Sequence, residues 1–377
     1  MIGSTVPESI GLSAPYVDET EEELVLEVIR SGRLALGPMI EQFERALAER
    51  VGAPYVAAVS SGTAGLHLCM KLADISPGDE VVTTPLSFIA SANAIVYEGG
   101  VPVFVDVDDR TLNLDPAAVE AAITPRTRAL VLVDLFGYPL DIDAFHELAA
   151  RHDLAIVEDA CEALGATYGG RQVGSFGNPA VFAFYPNKQV TTGEGGAVVL
   201  GTEDEWALVK SLANQGRTDR GETFAHERIG YNYRLDELSA ALGVAQLRKL
   251  DRILGLRDEV AARYNALLAD VQGVRLLCAD DAVHRRSWFA YVVFIDPPAE
   301  RSAVMARLAA EGIASKSYLP AIHLQPAYRD PFGLSAGMFP VAEAAGAHGL
   351  ALPFHTGLSA NDQERVVATL TGALQAA

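Results

Sequence analysis

Short apolar runs alternate with helix-like segments between residues 56 and 157. The runs are rich in valine, isoleucine, leucine and alanine, and the segments between them have helical periodicity. The runs are Val56–Val59, Glu80–Thr84, Val101–Val105, Ala129–Val133 and Leu154–Val157. Strands that are apolar along their whole length are typical of a parallel sheet covered by helices on both faces. The alternation therefore predicts an α/β fold with a mostly parallel sheet flanked by helices.

The rest of the chain predicts a second, smaller unit. Residues 216–232 are polar and glycine-dotted, which indicates a long loop, and one long helix is expected from about Leu235 to Leu268. Three strand-like runs and three helical segments follow. With 377 residues, the chain is long enough for two domains. We expect residues 1–255 to form the large domain, with an N-terminal helical segment, and residues 256–377 a smaller C-terminal α+β domain.

The charge balance excludes two classes of partner. The chain has 29 basic and 49 acidic side chains, which give a formal net charge of −20. Binding to nucleic acid or to an anionic membrane needs a basic surface, so we expect neither. A few local arginines can still bind an anionic substrate, because a nearby charge outweighs a distant field.

Cysteine usage and the start of the chain predict a cytoplasmic protein. Cys69, Cys161 and Cys278 are odd in number and far apart, which matches neither a disulfide framework nor a metal-ligand spacing. The first residues lack the basic start and apolar core of a signal peptide. No uncharged apolar run approaches the roughly 18 residues needed to span a bilayer. We therefore expect a reducing compartment, no metal and no membrane.

One lysine lies on a short polar turn between two apolar runs. The sequence AVFAF leads to Lys188, TTGEGG follows at once, and AVVL resumes the apolar pattern. A lysine held on a loop between buried strands can have a fixed direction, which Schiff-base chemistry with a carbonyl requires. Taken alone, a solvated loop lysine is the plainer alternative.

A phosphate cradle is expected where the first strand of the alternation meets its helix. Ser61, Gly62 and Thr63 begin that helix, where free N–H groups, the positive end of the helix dipole and two hydroxyls favour a phosphate. Gly62 allows the phosphate to approach the backbone closely. The alternative is that Ser61 or Thr63 merely caps the helix.

Asp159 closes the apolar run that begins at Leu154. Open α/β sheets bind ligands at the carboxyl ends of their strands, and a carboxylate there can hold a pyridinium nitrogen protonated. The protonated ring then acts as an electron sink. The alternative is that Asp159 caps a following helix. Together, the lysine, the cradle and the carboxylate are the parts of a pyridoxal phosphate site.

Three further residues have a plain alternative beside a functional one. Phe88 could stack on a planar ring, or it could be a core phenylalanine. Asn232 lies between two tyrosines and before Arg234, which suits an anionic ligand, but it could also cap a helix. His323 follows Leu319-Pro320-Ala321-Ile322 and could equally be a structural histidine.

Together these stretches resemble the DegT/DnrJ/EryC1/StrS family of sugar aminotransferases, which are pyridoxal phosphate enzymes of fold type I. The resemblance runs nearly end to end. Its most specific blocks are GSFGNPAVFAFYPNKQVTTGEGG and IGYNYRLDELSAALGVAQLRKLD. Other matching blocks are AVSSGTAGLHL, GDEVVTTPLSFIASANAI and VEDACEALGA.

The resemblance implies catalytic roles for two residues. Lys188 is similar to the lysine that binds the cofactor aldehyde and moves the proton. Asp159 is similar to the partner of the pyridine nitrogen. Glu162 stands where the family usually has a glutamine beside the ring hydroxyl. A lysine at 188 also argues against the family's dehydratase branch, in which a histidine replaces it.

The resemblance also implies how the rest of the cofactor is bound. Ser61, Gly62 and Thr63 match the phosphate cradle, and Phe88 matches the aromatic that stacks on the ring. Asn232 is similar to a residue that reaches the phosphate of a neighbouring subunit, which implies a homodimer with shared active sites. Ala183 departs from several relatives, which carry a serine that bonds the phosphate there.

The implied reaction is a ping-pong transamination. An amino donor, expected to be glutamate, would convert pyridoxal phosphate to pyridoxamine phosphate, and a keto-sugar carried on a nucleotide would then take the amine. The candidate substrate residues are Arg217, Tyr231, Arg234, Tyr318 and His323. For Arg217, a surface arginine is the plain alternative. The rival functions are a cyclitol-ketone aminotransferase of the same fold and a catalytically idle regulatory protein that kept the fold.

Overall fold

The computed structural model describes residues 9–217, 225–297 and 299–375. Its central element is a seven-stranded sheet. In spatial order the strands are β1 (Tyr55–Val59), β9 (Gly196–Leu200), β8 (Ala180–Ala183), β5 (Ala155–Asp159), β4 (Thr127–Val133), β2 (Glu80–Thr83) and β3 (Val101–Phe104). From β8 to β3 every pairing is parallel, whereas β9 is antiparallel to both β8 and β1. The prediction of a mostly parallel sheet is confirmed.

Helices cover both faces of this sheet. They are α1 (Glu19–Ser31), α2 (Pro38–Val51), α3 (Gly62–Leu72), α4 (Ala90–Tyr97), α5 (Pro116–Ala122), α6 (Ile142–His152), α7 (Glu203–Ala213) and α8 (Glu237–Arg248). Alternate strand residues enter different cores, since Val56 packs with α2 and α8 while Ala57 packs with α3 and α7. Phe43 of α2 meets Phe184 edge-on, with ring centroids 5.2 Å apart. Burial on both faces explains why the strands are apolar along their whole length.

A smaller antiparallel sheet follows in the C-terminal part. Its spatial order is β10 (Val274–Leu276), β12 (Tyr291–Ile295), β14 (Gly349–Leu352) and β13 (Lys316–Ser317). The helices of this part are α9 (Leu250–Leu268), α10 (Arg301–Ala310), α11 (Pro326–Phe332), α12 (Pro340–His348) and α13 (Ala360–Gln375). A third small sheet has the order β11 (His284–Arg285), β6 (Thr167–Tyr168) and β7 (Arg171–Gln172). The small sheet and its helices agree with the expected α+β unit.

Helix α9 contributes to both large cores. Leu250 and Ile253 pack with the seven-stranded sheet, whereas Val260, Tyr264 and Leu268 pack with the small sheet. The division at residues 255 and 256, which falls between these two groups, stays a prediction.

The single long helix expected from Leu235 to Leu268 is two helices in the structure. The helical path breaks at Lys249, whose backbone lies at φ −110° and ψ 5°. Its ammonium forms ion pairs with Asp18 at 2.9 Å and with Glu21 at 2.6 Å, both at the start of α1. The break depends on contacts with a segment more than 200 residues earlier in the chain, so helical periodicity alone does not reveal it.

The parallel strands place the candidate residues at one edge of the large sheet. β5 ends at Asp159 and β8 ends at Ala183, five residues before Lys188. Because the carboxyl ends of parallel strands meet at the same edge, the loops after them lie next to one another. Helix α3, which begins at Gly62, faces this edge, since a side chain at Gly62 would contact Ala183 and Cys161.

Candidate active site

Lys188 lies in a turn after β8, with its side chain only 13% exposed. Its Nζ lies 3.6 Å from Glu162 Oε1 and 3.9 Å from the centroid of the Phe289 ring. The turn is closed by the Lys188 amide, which donates to the Tyr185 carbonyl at 2.9 Å. The amine is therefore held between a carboxyl group and an aromatic face, and the solvated loop lysine is not what the structure shows.

A buried arginine braces the turn that carries Lys188. Arg257 Nη2 donates to the Lys188 carbonyl at 2.9 Å and to the Asn187 carbonyl at 3.3 Å. Arg257 is 3% exposed, and burial lowers its pKa to about 10. Two backbone carbonyls held by one rigid guanidinium fix the path of the chain at Lys188.

Glu162 is held close to the lysine by the backbone. Its Oε2 accepts a hydrogen bond from the Phe136 amide at 3.0 Å, and Phe136 adopts a left-handed conformation with φ 52°. Burial raises the pKa of Glu162, and the charge of Lys188 opposes that shift. Tyr318 lies near the same carboxyl, and burial followed by the charge of Glu162 raises its pKa. A buried carboxyl beside an amine can hold a proton for transfer.

Asp159 is buried at the end of β5 and both of its oxygens accept hydrogen bonds. Ser91 Oγ donates to Oδ2 at 2.6 Å, and the Cys161 amide donates to Oδ1 at 3.2 Å. The helix-cap alternative is wrong, because residues 160–165 form turns and no helix follows Asp159 there. The carboxylate is instead held at the carboxyl end of β5 by contacts with Ser91 of α4 and with the Cys161 amide.

The N-terminus of α3 forms a cradle with no room for a side chain. Ser61 Oγ accepts from the Ala64 amide at 3.1 Å, so its hydroxyl does cap the helix, as the plain alternative has it. A Cβ atom at Gly62 would lie 2.8 Å from Ala183 Cβ and 2.9 Å from Cys161 Sγ. Thr63 is half-buried beside them. Only glycine leaves this helix start open to a bound anion.

Replacing Gly62 with alanine should impair both stability and phosphate binding. The new methyl would press on the Ala183 Cβ and the Cys161 sulfur, so the free energy of unfolding should fall by about 1–3 kcal/mol. Binding of pyridoxal phosphate should weaken as well, measured by titrating the cofactor-free protein. Gly255→Ala is the matched control, because a Cβ there meets nothing within 4 Å. A Gly62→Ala protein with unchanged stability and cofactor affinity would contradict this account of the cradle.

Phe88 is 61% exposed, which rules out the core alternative for this residue. Its carbonyl lies 3.2 Å from Ser91 Oγ, and Ser91 donates to Asp159 at 2.6 Å. The Phe88 backbone therefore lies close to the buried carboxylate, with Ser91 between them. An exposed aromatic ring in this position is available to stack on a planar ligand.

The segment 230–234 lies beside the end of β1. The Ser60 amide donates to the Tyr233 carbonyl at 2.7 Å, which places this segment near the cradle. Tyr231 OH donates to Glu98 at 3.3 Å, and Arg234 Nη1 donates to the side-chain oxygens of Asn214 and Gln215. Asn232 is exposed, and the helix-cap alternative for it is wrong because Asp236 caps α8.

Arg217 and Arg234 line a cavity to which Lys188 does not contribute. This cavity, of about 660 Å³, lies between α2, α7 and residues 227–235. Lys210 and Arg228 also line it, together with the acidic residues Glu41, Asp204 and Glu227, so its lining carries both signs of charge. Part of the expected long loop, residues 218–224, lies outside the described residues.

His323 has the contacts of a structural histidine. It is fully buried, its Nε2 lies 3.0 Å from Glu343 Oε1, and its ring meets Phe339 edge-on. The next residue back, Ile322, ties this segment to the large domain by donating from its amide to the Pro85 carbonyl at 2.8 Å. These contacts favour the plain alternative, although the buried Nδ1 of His323 has no hydrogen-bond partner among the described residues.

Within residues 9–217, 225–297 and 299–375, no cluster of three or more His, Cys, Asp or Glu side chains could hold a metal ion. In the same ranges, no helix is long and apolar enough to cross a membrane.

Two further carboxyl groups, those of Asp134 and Glu158, are buried near Asp159. Asp134 and Glu158 are each 1% exposed, and Glu158 accepts from the Gly174 amide at 3.2 Å. Burial raises the pKa of Glu158 to about 7. Burial and then the charge of Glu158 raise the pKa of Asp134. Because two buried carboxylates repel each other, the pair retains a proton rather than ionising fully.

This pair predicts a pH-dependent stability. The folded protein keeps a proton on Glu158 up to about pH 7, whereas the unfolded chain releases it near pH 4.5. The stabilisation is therefore fully present below pH 4.5 and is lost as the pH rises through 7. The Tm of the wild type should fall more steeply between pH 5 and 8 than that of Glu158→Gln. Glu23→Gln, on the exposed side of α1, should follow the wild type; parallel profiles for all three proteins would contradict the assignment.

Comparison with known proteins decides the family. The sequence model of the DegT/DnrJ/EryC1/StrS aminotransferase family matches residues 15–371. The chain belongs to this family. It is an aminotransferase and its cofactor is pyridoxal phosphate, as the resemblance of the sequence implied.

Individual relatives agree along nearly the whole chain. GDP-perosamine synthase of Caulobacter vibrioides is 40% identical over 365 residues, which cover 96% of this chain and 97% of that protein. The crystal structure of S. venezuelae DesV has a TM-score of 0.90 at 35% identity and covers 97% of this chain and 99% of its own. The putative sugar aminotransferase Spr1654 from Streptococcus pneumoniae, in its PLP-form, has a TM-score of 0.92 at 27% identity, covering 98% and 99%.

The residues at the sheet edge fit the cofactor. The cradle at Gly62 has no room for a Cβ but has free helix N–H groups, which suits a phosphate. Asp159 is a buried carboxylate, Phe88 is an exposed aromatic ring, and Lys188 has an amine, which is the group needed to bind an aldehyde. Groups that suit four parts of one small molecule thus lie after β2, β5 and β8 and at the start of α3.

Proposed function

We propose that this enzyme transfers an amino group from glutamate to a keto-sugar carried on a nucleotide, in a ping-pong reaction. The observation that carries the proposal is the placement of Lys188 Nζ, 3.6 Å from Glu162, at the sheet edge where Asp159 and Gly62 also lie. The name of the relative GDP-perosamine synthase supports a nucleotide-linked substrate. Three dispersed cysteines, all free, favour a cytoplasmic location.

The proposal assigns each residue a task at the cofactor. The Lys188 amine would hold the cofactor aldehyde and would carry the proton that moves between the substrate carbon and the cofactor carbon during amino transfer. Asp159 holds the proton on the ring nitrogen. Bound pyridoxal phosphate supplies the electron sink that stabilises negative charge on the reacting carbon. Ser61, Gly62 and Thr63 bind the phosphate, and Phe88 stacks on the ring.

Glu162 takes a particular part in this arrangement. Its carboxyl faces Lys188 Nζ and has a raised pKa, so it can accept the proton that the lysine ammonium gives up when it becomes a neutral amine. A protonated carboxyl can also donate to the ring hydroxyl, as an amide would. Glu162 therefore replaces the glutamine of relatives without loss of a donor while it stays protonated.

The substrate contacts are proposed from residues around the site and in the cavity lined by Arg217 and Arg234. Tyr318 lies near Glu162, and Asn187 Nδ2 donates to its hydroxyl at 3.4 Å. Arg217 and Arg234 offer positive charge for a diphosphate or a carboxylate. The other proposed substrate residues are Tyr231 and His323. Asn232, which is exposed, would reach the phosphate of a second subunit, so we propose a homodimer with shared sites.

A substrate screen tests the proposal. Protein loaded with pyridoxamine phosphate is offered a panel of nucleotide-linked keto-sugars and cyclitol ketones, and each product is read as a mass change. Amination of a nucleotide-linked sugar, followed by reloading with glutamate, is the expected result. Amination of cyclitol ketones alone would overturn the substrate class. Reloading by other amino acids but not by glutamate would overturn the donor.

A further inference from the structure

Two buried serine hydroxyls form a chain of hydrogen bonds that ends at Asp159. Ser91, in the first turn of α4, places its Oγ 2.6 Å from Asp159 Oδ2. Ser87 Oγ lies 2.9 Å from Ser91 Oγ on the other side. Their exposed fractions are 0% for Ser91, 5% for Ser87 and 6% for Asp159, so water does not compete for these contacts.

The direction of these hydrogen bonds follows from counting protons. A serine hydroxyl has one proton and two acceptor lone pairs. Ser91 has two acceptors in reach, Asp159 Oδ2 at 2.6 Å and the Phe88 carbonyl at 3.2 Å. The carboxylate oxygen is the closer and the stronger acceptor, so Ser91 donates its hydrogen bond to Asp159. Ser91 Oγ then accepts from Ser87, and the order of donation is Ser87 to Ser91 to Asp159.

The hydrogen bond from Ser91 fixes the position of Oδ2 of Asp159. The other oxygen accepts a hydrogen bond from the Cys161 amide at the longer distance of 3.2 Å. The terminal torsion of an aspartate is broad, so one donor alone would leave the carboxylate free to rotate. Ser91 supplies the second and shorter contact, and Ser87 holds Ser91 in the orientation that makes it.

We propose that Ser91, supported by Ser87, is a positioning residue that aims the Asp159 carboxylate at the ring nitrogen of pyridoxal phosphate. This inference rests on the proposed role of Asp159. Ser91 does not touch the cofactor; it acts through the aspartate alone. Its hydroxyl joins α4 to the end of β5, so the start of that helix becomes part of the cofactor site.

The test compares cofactor affinity among variants of the whole protein. Ser91→Ala should bind pyridoxal phosphate about tenfold more weakly in titrations of cofactor-free protein, since a hydrogen bond to a charged group is lost. Its kcat should fall while the KM for the amino donor stays the same. Ser91→Thr keeps the hydroxyl and should restore both values. Ser87→Ala, which leaves Ser91 in place, should show a smaller loss.

A matched control separates this effect from general loss of a buried hydroxyl. Thr83→Val removes a fully buried hydroxyl that donates to the Val131 carbonyl at 3.1 Å, and it should leave cofactor affinity unchanged. Wild-type affinity in Ser91→Ala, or an equal loss in Thr83→Val, would overturn the inference. If Ser91→Ala does not fold, Ser87→Ala and Ser91→Thr decide it. Failure of Asp159→Asn to alter cofactor binding or turnover would instead overturn the proposed role of Asp159.

Discussion

Lys188→Ala is expected to lower the rate of transamination by at least about 10⁴-fold, because the substitution removes the nucleophile and the proton carrier together. The absorbance band of the lysine-bound cofactor should also disappear, since the substitution removes the amine that lies between Glu162 and Phe289. The measurements are the absorbance spectrum of protein mixed with pyridoxal phosphate and the rate of amino transfer from glutamate.

Lys188→Arg is the matched variant for this prediction. It keeps a positive charge beside Glu162 and over the ring of Phe289 but cannot bind an aldehyde in the same way. We expect the same loss as in Lys188→Ala. Small amines added to the alanine variant should restore part of the proton transfer, because they replace the missing base. Full turnover by Lys188→Ala would refute the assignment.

Asp159→Asn is expected to lower kcat by about 10² to 10³-fold, the effect of removing one preorganised electrostatic contact in an active site. An asparagine is similar in shape and can still accept from Ser91, so the fold should be retained. Its neutral amide no longer favours a proton on the ring nitrogen. The measurements are kcat and the absorbance spectrum of the loaded protein across pH.

Asp115→Asn provides the control for the aspartate. Asp115 caps α5 by accepting from the Ala118 amide at 2.9 Å, in an exposed position. Its replacement should lower the free energy of unfolding slightly, by about 1 kcal/mol or less, and leave kcat unchanged. A spectrum and kcat for Asp159→Asn equal to those of the wild type would contradict the role of this carboxylate.

The parts of the site that the sequence predicts are those fixed by short-range pattern. Lys188 and Asp159 each follow an apolar run, and parallel strands bring such positions to one edge of the sheet. Gly62 begins a helix directly after the first strand of the same alternation. Strand and helix periodicity therefore carries enough information to place the amine, the carboxylate and the cradle together.

The supporting residues are invisible to this kind of pattern. Phe289, Arg257 and Ser91 lie 101, 69 and 68 residues from the groups they contact. The local sequence around each of these residues does not distinguish it from an ordinary core or helix residue. Its contact with the site arises from packing between distant segments of the chain. The same reason explains the break at Lys249, whose ion pairs cross from α8 to α1.

Helix α9 has a consequence for protein engineering. Its first turns complete one core and its last turns complete another, and Gly255 lies at the changeover with open space around it. A fragment that stops at Gly255 would leave Val260 and Tyr264 missing from the small sheet's packing. A chimera that borrows the C-terminal region of a relative should therefore take all of α9 with it, or match its apolar residues on both sides of the junction.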